Sequence, residues 1–276
     1  MFTLNCRGRL ITAAKPLVMG IINITNDSFY GASRQHDTGA IVDKAAEMLE
    51  QGATIVDIGG QSTRPGSRLL SVAEELNRVA GAVAAISSQL PQAVISIDTF
   101  YAKVAAEAVA AGASIVNDIS AGRLDAAMLS TVAGLQTPYI CMHMKGTPQD
   151  MQQHAAYTDI TKEVLDYFIA TLDACTKAGV RDTIIDPGFG FAKHTVHNFT
   201  LLRNLNIFGI TGRPVLVGLS RKASIYKTLG LSPAEALNGT TVLNTIALQN
   251  GADILRVHDV KEAAEAVKLF CAYRDA

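Results

Sequence analysis

The sequence predicts an α/β protein built as a single parallel (β/α)8 barrel, and three observations carry that expectation. Short β-branched apolar runs alternate with longer helical stretches along the chain. The hand-over from helix to strand repeats, and polar residues gather where the strands end. Glu50-Gln51-Gly52-Ala53-Thr54 enters Ile55-Val56-Asp57-Ile58, and Ala111-Gly112-Ala113-Ser114 enters Ile115-Val116-Asn117-Asp118. Asn250-Gly251-Ala252-Asp253 enters Ile254-Leu255-Arg256-Val257 in the same way. Each glycine suits the left-handed residue that closes a helix. Each following run suits a strand covered on both faces.

Taken in order, strands are expected at 17–23, 54–59, 93–98, 114–118, 138–143, 182–186, 214–218 and 253–257. Helical stretches follow them, among these 41–51, 72–88, 103–111, 160–178 and 261–273. Eight strand–helix units within 276 residues point to a barrel of the TIM type. A doubly wound open sheet has the same local pattern, because strand order and closure leave no mark in sequence. No Ser- or Pro-rich linker divides the chain, so residues 1–276 read as one domain.

Composition narrows the function classes. Hydrophobic residues make up 49% and charged residues 18%, too apolar for a disordered chain. Lys+Arg 24 against Asp+Glu 25 leaves a net charge of -1, which argues against nucleic acid or an anionic membrane as a partner. No Trp and 6% aromatics also weigh against base stacking. Cys6, Cys141, Cys175 and Cys271 are far apart and form no C-x-x-C pair, which suits free thiols in a reducing compartment. With no leader-like start and no apolar run of the ~18 residues a membrane span needs, a soluble cytoplasmic protein is expected.

Asn23 ends the first strand, Asp57 the second and Asp98 the third; Asn117 and Asp118 end the fourth, His143 the fifth and Asp186 the sixth. Ser220, Arg221 and Lys222 follow the seventh, and Arg256 and His258 end the eighth. In a barrel these ends converge on one mouth, where ligands bind. An Asp after a strand equally serves as the N-cap of the next helix, and Asp57 and Asp118 fit that role. The types divide chemically. Asp98, Asn117 and Asp186 suit a planar heterocycle with N–H donors and ring acceptors. Thr63, Arg64, Ser220, Lys222, Arg256 and His258 suit phosphate oxygens. His194-x-x-His197 has metal-like spacing but no third ligand, and reads as a solvated loop beside Lys193. Met142 and Met144 read as packing. Neither a dinucleotide loop nor a nucleophile–His arrangement stands out.

At these residues the chain resembles the dihydropteroate synthase family, the pterin-transferring enzymes of folate biosynthesis. The likeness runs from about Leu17 to Phe270. It rests on Gly20-Ile-Ile-Asn23-Ile-Thr25-Asn26-Asp27-Ser28-Phe29, Asp57-Ile-Gly-Gly-Gln61-Ser62-Thr63-Arg64-Pro65-Gly66 and Ser96-Ile-Asp98-Thr99. Asn117-Asp118, Met142-His143-Met144-Lys145-Gly146-Thr147-Pro148, Asp186-Pro-Gly-Phe-Gly-Phe191, Ser220-Arg221-Lys222 and Arg256-Val-His258-Asp259 complete it.

The resemblance implies a transferase that joins p-aminobenzoate to 6-hydroxymethyl-7,8-dihydropterin pyrophosphate, with Mg2+, giving 7,8-dihydropteroate and pyrophosphate. By the same resemblance Asp98, Asn117, Asp186 and Lys222 hold the pterin, with Met142 and Phe191 packed beside it. Arg256, His258 and Asn23 hold the pyrophosphate, Asn23 also as the Mg2+ ligand. Thr63 and Arg64 belong to a mobile loop, while Phe29, Pro65 and Ser220 line the p-aminobenzoate pocket. Lys222, Arg256, His258 and Arg64 are the implied catalytic groups, and a homodimer that binds sulfonamides is the implied assembly and pharmacology. The chain departs from the family at Asn26 (commonly Pro), at Gln61 (commonly Glu) and at Gly31, where the family often has Asp in a Ser-Asp-Gly-Gly run. That last difference motivates one alternative, a non-catalytic or weakly active pterin-binding paralogue. A corrinoid-linked methyltransferase would have no use for the Thr63-Arg64-Pro65 loop or for the cations after the last two strands.

Overall fold

A computed structural model describes residues 1–24, 34–62 and 68–276. Two antiparallel strands come first, β1 (Phe2–Cys6) and β2 (Arg9–Ala13). Eight parallel strands follow: β3 (Leu17–Asn23), β4 (Ile55–Gly59), β5 (Val94–Asp98), β6 (Ile115–Asp118), β7 (Tyr139–Met142), β8 (Thr183–Asp186), β9 (Leu216–Val217) and β10 (Ile254–Val257). They hydrogen-bond in the order β8-β7-β6-β5-β4-β3-β10-β9. A parallel bridge between Ile185 and Val215 joins the two ends of that row. The sheet therefore closes, and the barrel is chosen over the open sheet.

The helices outside the ring include α1 (Arg34–Glu50), α2 (Val72–Gln89), α3 (Ala102–Ala111), α4 (Met128–Leu135) and α5 (Ile160–Ala178). After β8 come α6 (Thr195–Arg203), α7 (Ala223–Leu229), α8 (Leu237–Gln249) and α9 (Val260–Arg274). Local chemistry sets their ends. Ser71 Oγ accepts the Glu74 N–H at 3.3 Å while Glu74 Oε2 accepts the Ser71 N–H at 2.8 Å, a reciprocal cap for α2. Asp159 caps α5 through the Lys162 N–H at 3.0 Å. The three hand-over glycines, Gly52, Gly112 and Gly251, all take positive φ. The expected strands hold to within a residue or two, the seventh shortening to Leu216–Val217. The first helix begins at Arg34 rather than 41.

Alternation along each strand divides the barrel interior into layers. The lower layer is apolar: Met19, Ile55, Val94, Ile115, Ile140, Ile184, Leu216 and Ile254 pack together, closed from below by Leu4, Cys6 and Ala13 of the hairpin. Two residues further along, the same inward positions are occupied by Asp57, Ser96, Asn117, Met142, Asp186 and Arg256. The outward residues pack under the helices in a second cluster that includes Val56, Ile58, Ile97, Val116, Val217 and Val257. A dry floor below a polar ceiling leaves the upper end as the place for a ligand. Cys6, Cys141 and Cys175 are buried free thiols and Cys271 is half-buried. Among the described residues no helix is long and apolar enough to cross a membrane.

Candidate active site

Arg256 organises the upper layer. Its Nε donates to Asp57 Oδ2 at 2.7 Å and its Nη2 donates to Asp98 Oδ2 at 2.6 Å. Asn117 Nδ2 donates to the same Asp57 oxygen at 3.1 Å. One guanidinium thus faces two carboxylates. Burial, opposed by Arg256 but reinforced by Asp57, Glu75 and Asp118, pushes the Asp98 carboxyl up to about 7. Asp57 caps no helix, since α2 starts from Ser71. Of its two sequence-level roles the interior one is correct. Asp57 Oδ1 and Ser96 Oγ are buried without a protein partner, and the two residues are neighbours across β4 and β5.

Asp186 stands at the end of β8, 7% exposed, with Oδ1 accepting the Gly188 N–H at 2.7 Å. Gly188 has φ +70, and a Cβ there would lie 2.0 Å from the His143 carbonyl oxygen, so only glycine lets the chain turn back past this carboxylate. Burial raises the Asp186 pKa, while Lys222, the Gly188 N–H, Arg256 and Lys193 pull it back. Lys222 follows β9 and donates Nζ to the Phe189 carbonyl, over the Phe191 ring at 4.9 Å. Burial brings its pKa down to about 8, with Asp186 opposing. Met142 is 3% exposed and packs with Phe100, Ile119, Met144, Met151 and Ala192, against which Phe191 is half-buried.

At the rim, Ser220 Oγ lies 3.0 Å from His258 Nδ1, and Asn23 ends β3 exposed. Arg221 turns away, bidentate to Asp259 at 2.9 and 2.8 Å. The structure therefore brings Asn23, Asp98, Asn117, Met142, Asp186, Phe191, Ser220, Lys222, Arg256 and His258 to one end of the barrel. Phe29, Thr63, Arg64 and Pro65 lie outside the described residues, as does Gly31.

Two strand-end residues do not face the mouth. Asp118 braces the turn after β6, accepting from Ser120 N, Ser120 Oγ, Gly122 N and Tyr139 OH, each at 2.7 Å. His143 is buried beside Lys193. The expected solvated loop at His194-x-x-His197 is instead the start of α6, where His197 Nδ1 accepts the His194 N–H at 3.3 Å and the rings stack at 5.4 Å. The spacing that resembled a metal motif is one turn of helix.

The departure at Gln61 also has a structural meaning. Its amide holds both backbone groups of Leu70, Nε2 to the carbonyl and Oε1 from the N–H, each at 3.1 Å. Nε2 also donates to buried Glu75 at 3.1 Å. Burial raises the Glu75 carboxyl to about 7. Glutamate at 61 would set two carboxyls against each other; the amide supplies a donor instead.

A closed eight-stranded barrel, dry below and polar at its mouth, defines the class, and the comparisons place the chain within it. The pterin binding enzyme model matches residues 19–258, and the chain belongs to that family. A dihydropteroate synthase of Escherichia coli (strain K12) is 41% identical over 269 residues, 95% of this chain and 93% of the relative. The structure of Xanthomonas albilineans dihydropteroate synthase with 4-aminobenzoic acid superposes with a TM-score of 0.92 at 39% identity, covering 99% of this chain and 98% of that one. Yersinia pestis dihydropteroate synthase, solved with a sulfonamide drug complex, gives 0.93 at 37% identity with 100% of both chains covered.

Proposed function

We propose that this chain joins p-aminobenzoate to 6-hydroxymethyl-7,8-dihydropterin pyrophosphate, releasing 7,8-dihydropteroate and pyrophosphate. The observation that carries the proposal is the polar end of the barrel, which holds the buried acceptors Asp186 and Asn117 and the donor Lys222, in a family of dihydropteroate synthases. An ionised Asp186 accepts two N–H bonds from the 2-amino-pyrimidine edge. Lys222 donates to the ring carbonyl side, and Asp98 and Asn117 meet the remaining ring edge. Met142 and Phe191 flank the ring plane.

The reaction forms a C–N bond from the arylamine to the pterin methylene and breaks the C–O bond to pyrophosphate, whose oxygen keeps the electron pair. The arylamine then gives its extra proton to water. Positive charge on the methylene is shared by the electron-rich pterin, which favours early departure of the leaving group. Arg256 of the upper layer and His258 at the rim meet the negative charge that builds on the departing oxygens, and contacts strengthened in that state lower the barrier. Arg64 is assigned to the same task, and Phe29, Thr63, Pro65 and Ser220 to the p-aminobenzoate pocket.

Among the described residues no cluster of three or more His, Cys, Asp or Glu could hold a metal ion. Asn23, exposed at the end of β3, offers one amide oxygen, a single hard donor that fits Mg2+ taking its other ligands from substrate phosphates and water. Bound there, Mg2+ would neutralise charge on the leaving pyrophosphate. A cytoplasmic homodimer completes the proposal. Its supports are the free thiols and the exposed Leu229 of α7, Leu231 of the link after it and Val242 of α8, a surface for a second copy that sedimentation would test.

Pyrophosphate release that depends on p-aminobenzoate tests the activity. Pterin binding without such release would favour the non-catalytic paralogue.

A further inference from the structure

Lys193 is 4% exposed and plays no part in the chemistry above. Its Nζ lies 2.8 Å from His143 Nδ1, 2.9 Å from the Phe191 carbonyl oxygen and 3.4 Å from the His143 carbonyl oxygen. Nζ donates to the two carbonyl oxygens, and with the His143 ring proton on Nε2 the Nδ1 lone pair completes three acceptors for an ammonium. All three are neutral, because burial, with Lys193, Lys145 and Arg123 adding to it, holds the His143 ring far below its ordinary protonation range. Ala192, with φ +50, makes the tight turn that folds Lys193 back onto Phe191. The two turns it joins follow β7 and β8. One carries Met142 at its root and the other carries Asp186 and Phe191.

We propose that Lys193 is a positioning residue of the pterin site: a buried, hydrogen-bonded side chain that ties the His143 turn to the Phe191 turn and whose positive charge acts on Asp186. The proposal rests on the assignment of Asp186 to the pterin. A single hydrogen-bonded side chain fixes the spacing of Met142 and Phe191, between which the ring must slide. Its charge favours the ionised form of Asp186, the form that accepts two N–H bonds. Asp186 faces Lys222 and Arg256 as well as Lys193, and Lys193 faces Lys222 and Lys145 as well as Asp186. Burial takes the Lys193 pKa well below its ordinary 10.5, with Lys222 and Lys145 adding to the fall and Asp186 opposing it, so the Lys193 and Asp186 charges support each other. Lys222 sits close to the ligand, whereas Lys193 is reached only through the protein.

The test reads pH as well as affinity. 6-Hydroxymethylpterin, which has no leaving group, is titrated into the unaltered protein and Lys193→Met across about pH 4 to pH 9. Binding weakens on the acid side as Asp186 takes a proton. In Lys193→Met the midpoint of that loss lies about one pH unit higher. Lys193→Arg, which keeps the charge, leaves the midpoint in place. An unmoved midpoint in Lys193→Met overturns the proposal, whatever happens to affinity at high pH. Equal movement in Lys193→Arg overturns it too. Should Lys193→Met fail to fold, nitrogen NMR of the Lys193 side chain in the unaltered protein decides: an ammonium signal at neutral pH is expected, and a free-amine signal overturns the proposal. No pterin binding by the unaltered protein would overturn the pterin assignment along with it. Binding with an unmoved midpoint would overturn the positioning role alone.

Discussion

Ser220 holds His258 twice: its Oγ accepts the His258 backbone N–H at 3.2 Å and lies 3.0 Å from the ring Nδ1. The hydroxyl can donate to Nδ1 or accept from an Nδ1–H; donation to Nδ1 is the arrangement expected, and Ser220→Ala tests it. That leaves the ring proton on Nε2, the nitrogen that can donate to an anion at the mouth. Partial burial of the ring, then Arg256, Arg221 and Lys222, bring its pKa from 6.5 down to about 4, with Asp259 opposing. His258 is therefore a neutral donor at pH 7. Between 6.5 and about 4 the unfolded chain binds a proton that folded His258 refuses, so its contribution to stability falls on acidification through that window.

Ser220→Ala is expected to release Nδ1 to carry the ring proton and to weaken pyrophosphate binding about tenfold. Nitrogen NMR of the imidazole reads the tautomer, and calorimetry reads the affinity. A retained Nε2–H form with unchanged affinity would remove Ser220 from the anion site.

Asp186→Asn is expected to abolish pterin binding rather than slow the chemical step. An amide at this place must present one donor to a donor, and the buried mismatch costs about 1–3 kcal/mol or more. Calorimetry with the pterin substrate checks this, and unchanged affinity would move the pyrimidine edge elsewhere.

Arg256→Ala is expected to weaken the pyrophosphorylated substrate more than the free pterin, and to lower stability as well. The substitution leaves Asp57 and Asp98 without their shared cation, a loss of about 3–5 kcal/mol for a broken buried pair. The cost depends on pH. Asp98 already titrates near 7 when folded against an ordinary 3.8, so the folded state holds the extra proton between these values and stability falls as pH rises through them. Without Arg256 that window extends higher, and the drop in Tm relative to the unaltered protein should be larger at about pH 8 than at about pH 5.5. A drop in Tm that does not change with pH would contradict the raised Asp98 pKa.

Sulfonamides are expected to compete with p-aminobenzoate, since Gly60-Gln61-Ser62-Thr63-Arg64-Pro65-Gly66 carries no added residue that would narrow the pocket. Tight p-aminobenzoate binding is expected only with the pterin or pyrophosphate present, because the residues that match the pocket come from two separate loops and one barrel end. Equal binding to the empty enzyme would contradict the order, and turnover indifferent to saturating sulfonamide would contradict the pocket.

The eight strand–helix units were legible in the sequence, because burial on both faces and glycine-closed helices leave strong local marks at Gly52, Gly112 and Gly251. Legible too were the polar residues that close the strands, since the inward positions of a strand repeat every second residue. Tertiary structure alone decided three things. The bridge between Ile185 and Val215 closed the barrel, a pairing of backbone groups that no side chain records. The direction of Asp57, toward Arg256 and away from any helix start, depended on a partner 199 positions along the chain. Lys193, beside two histidines that resembled a metal motif, became a buried clamp because the turn at Ala192 aimed its side chain inward while His194 and His197 began a helix. Local pattern fixes where a residue stands along a strand or helix; which charge it meets is settled only when distant strands are brought together.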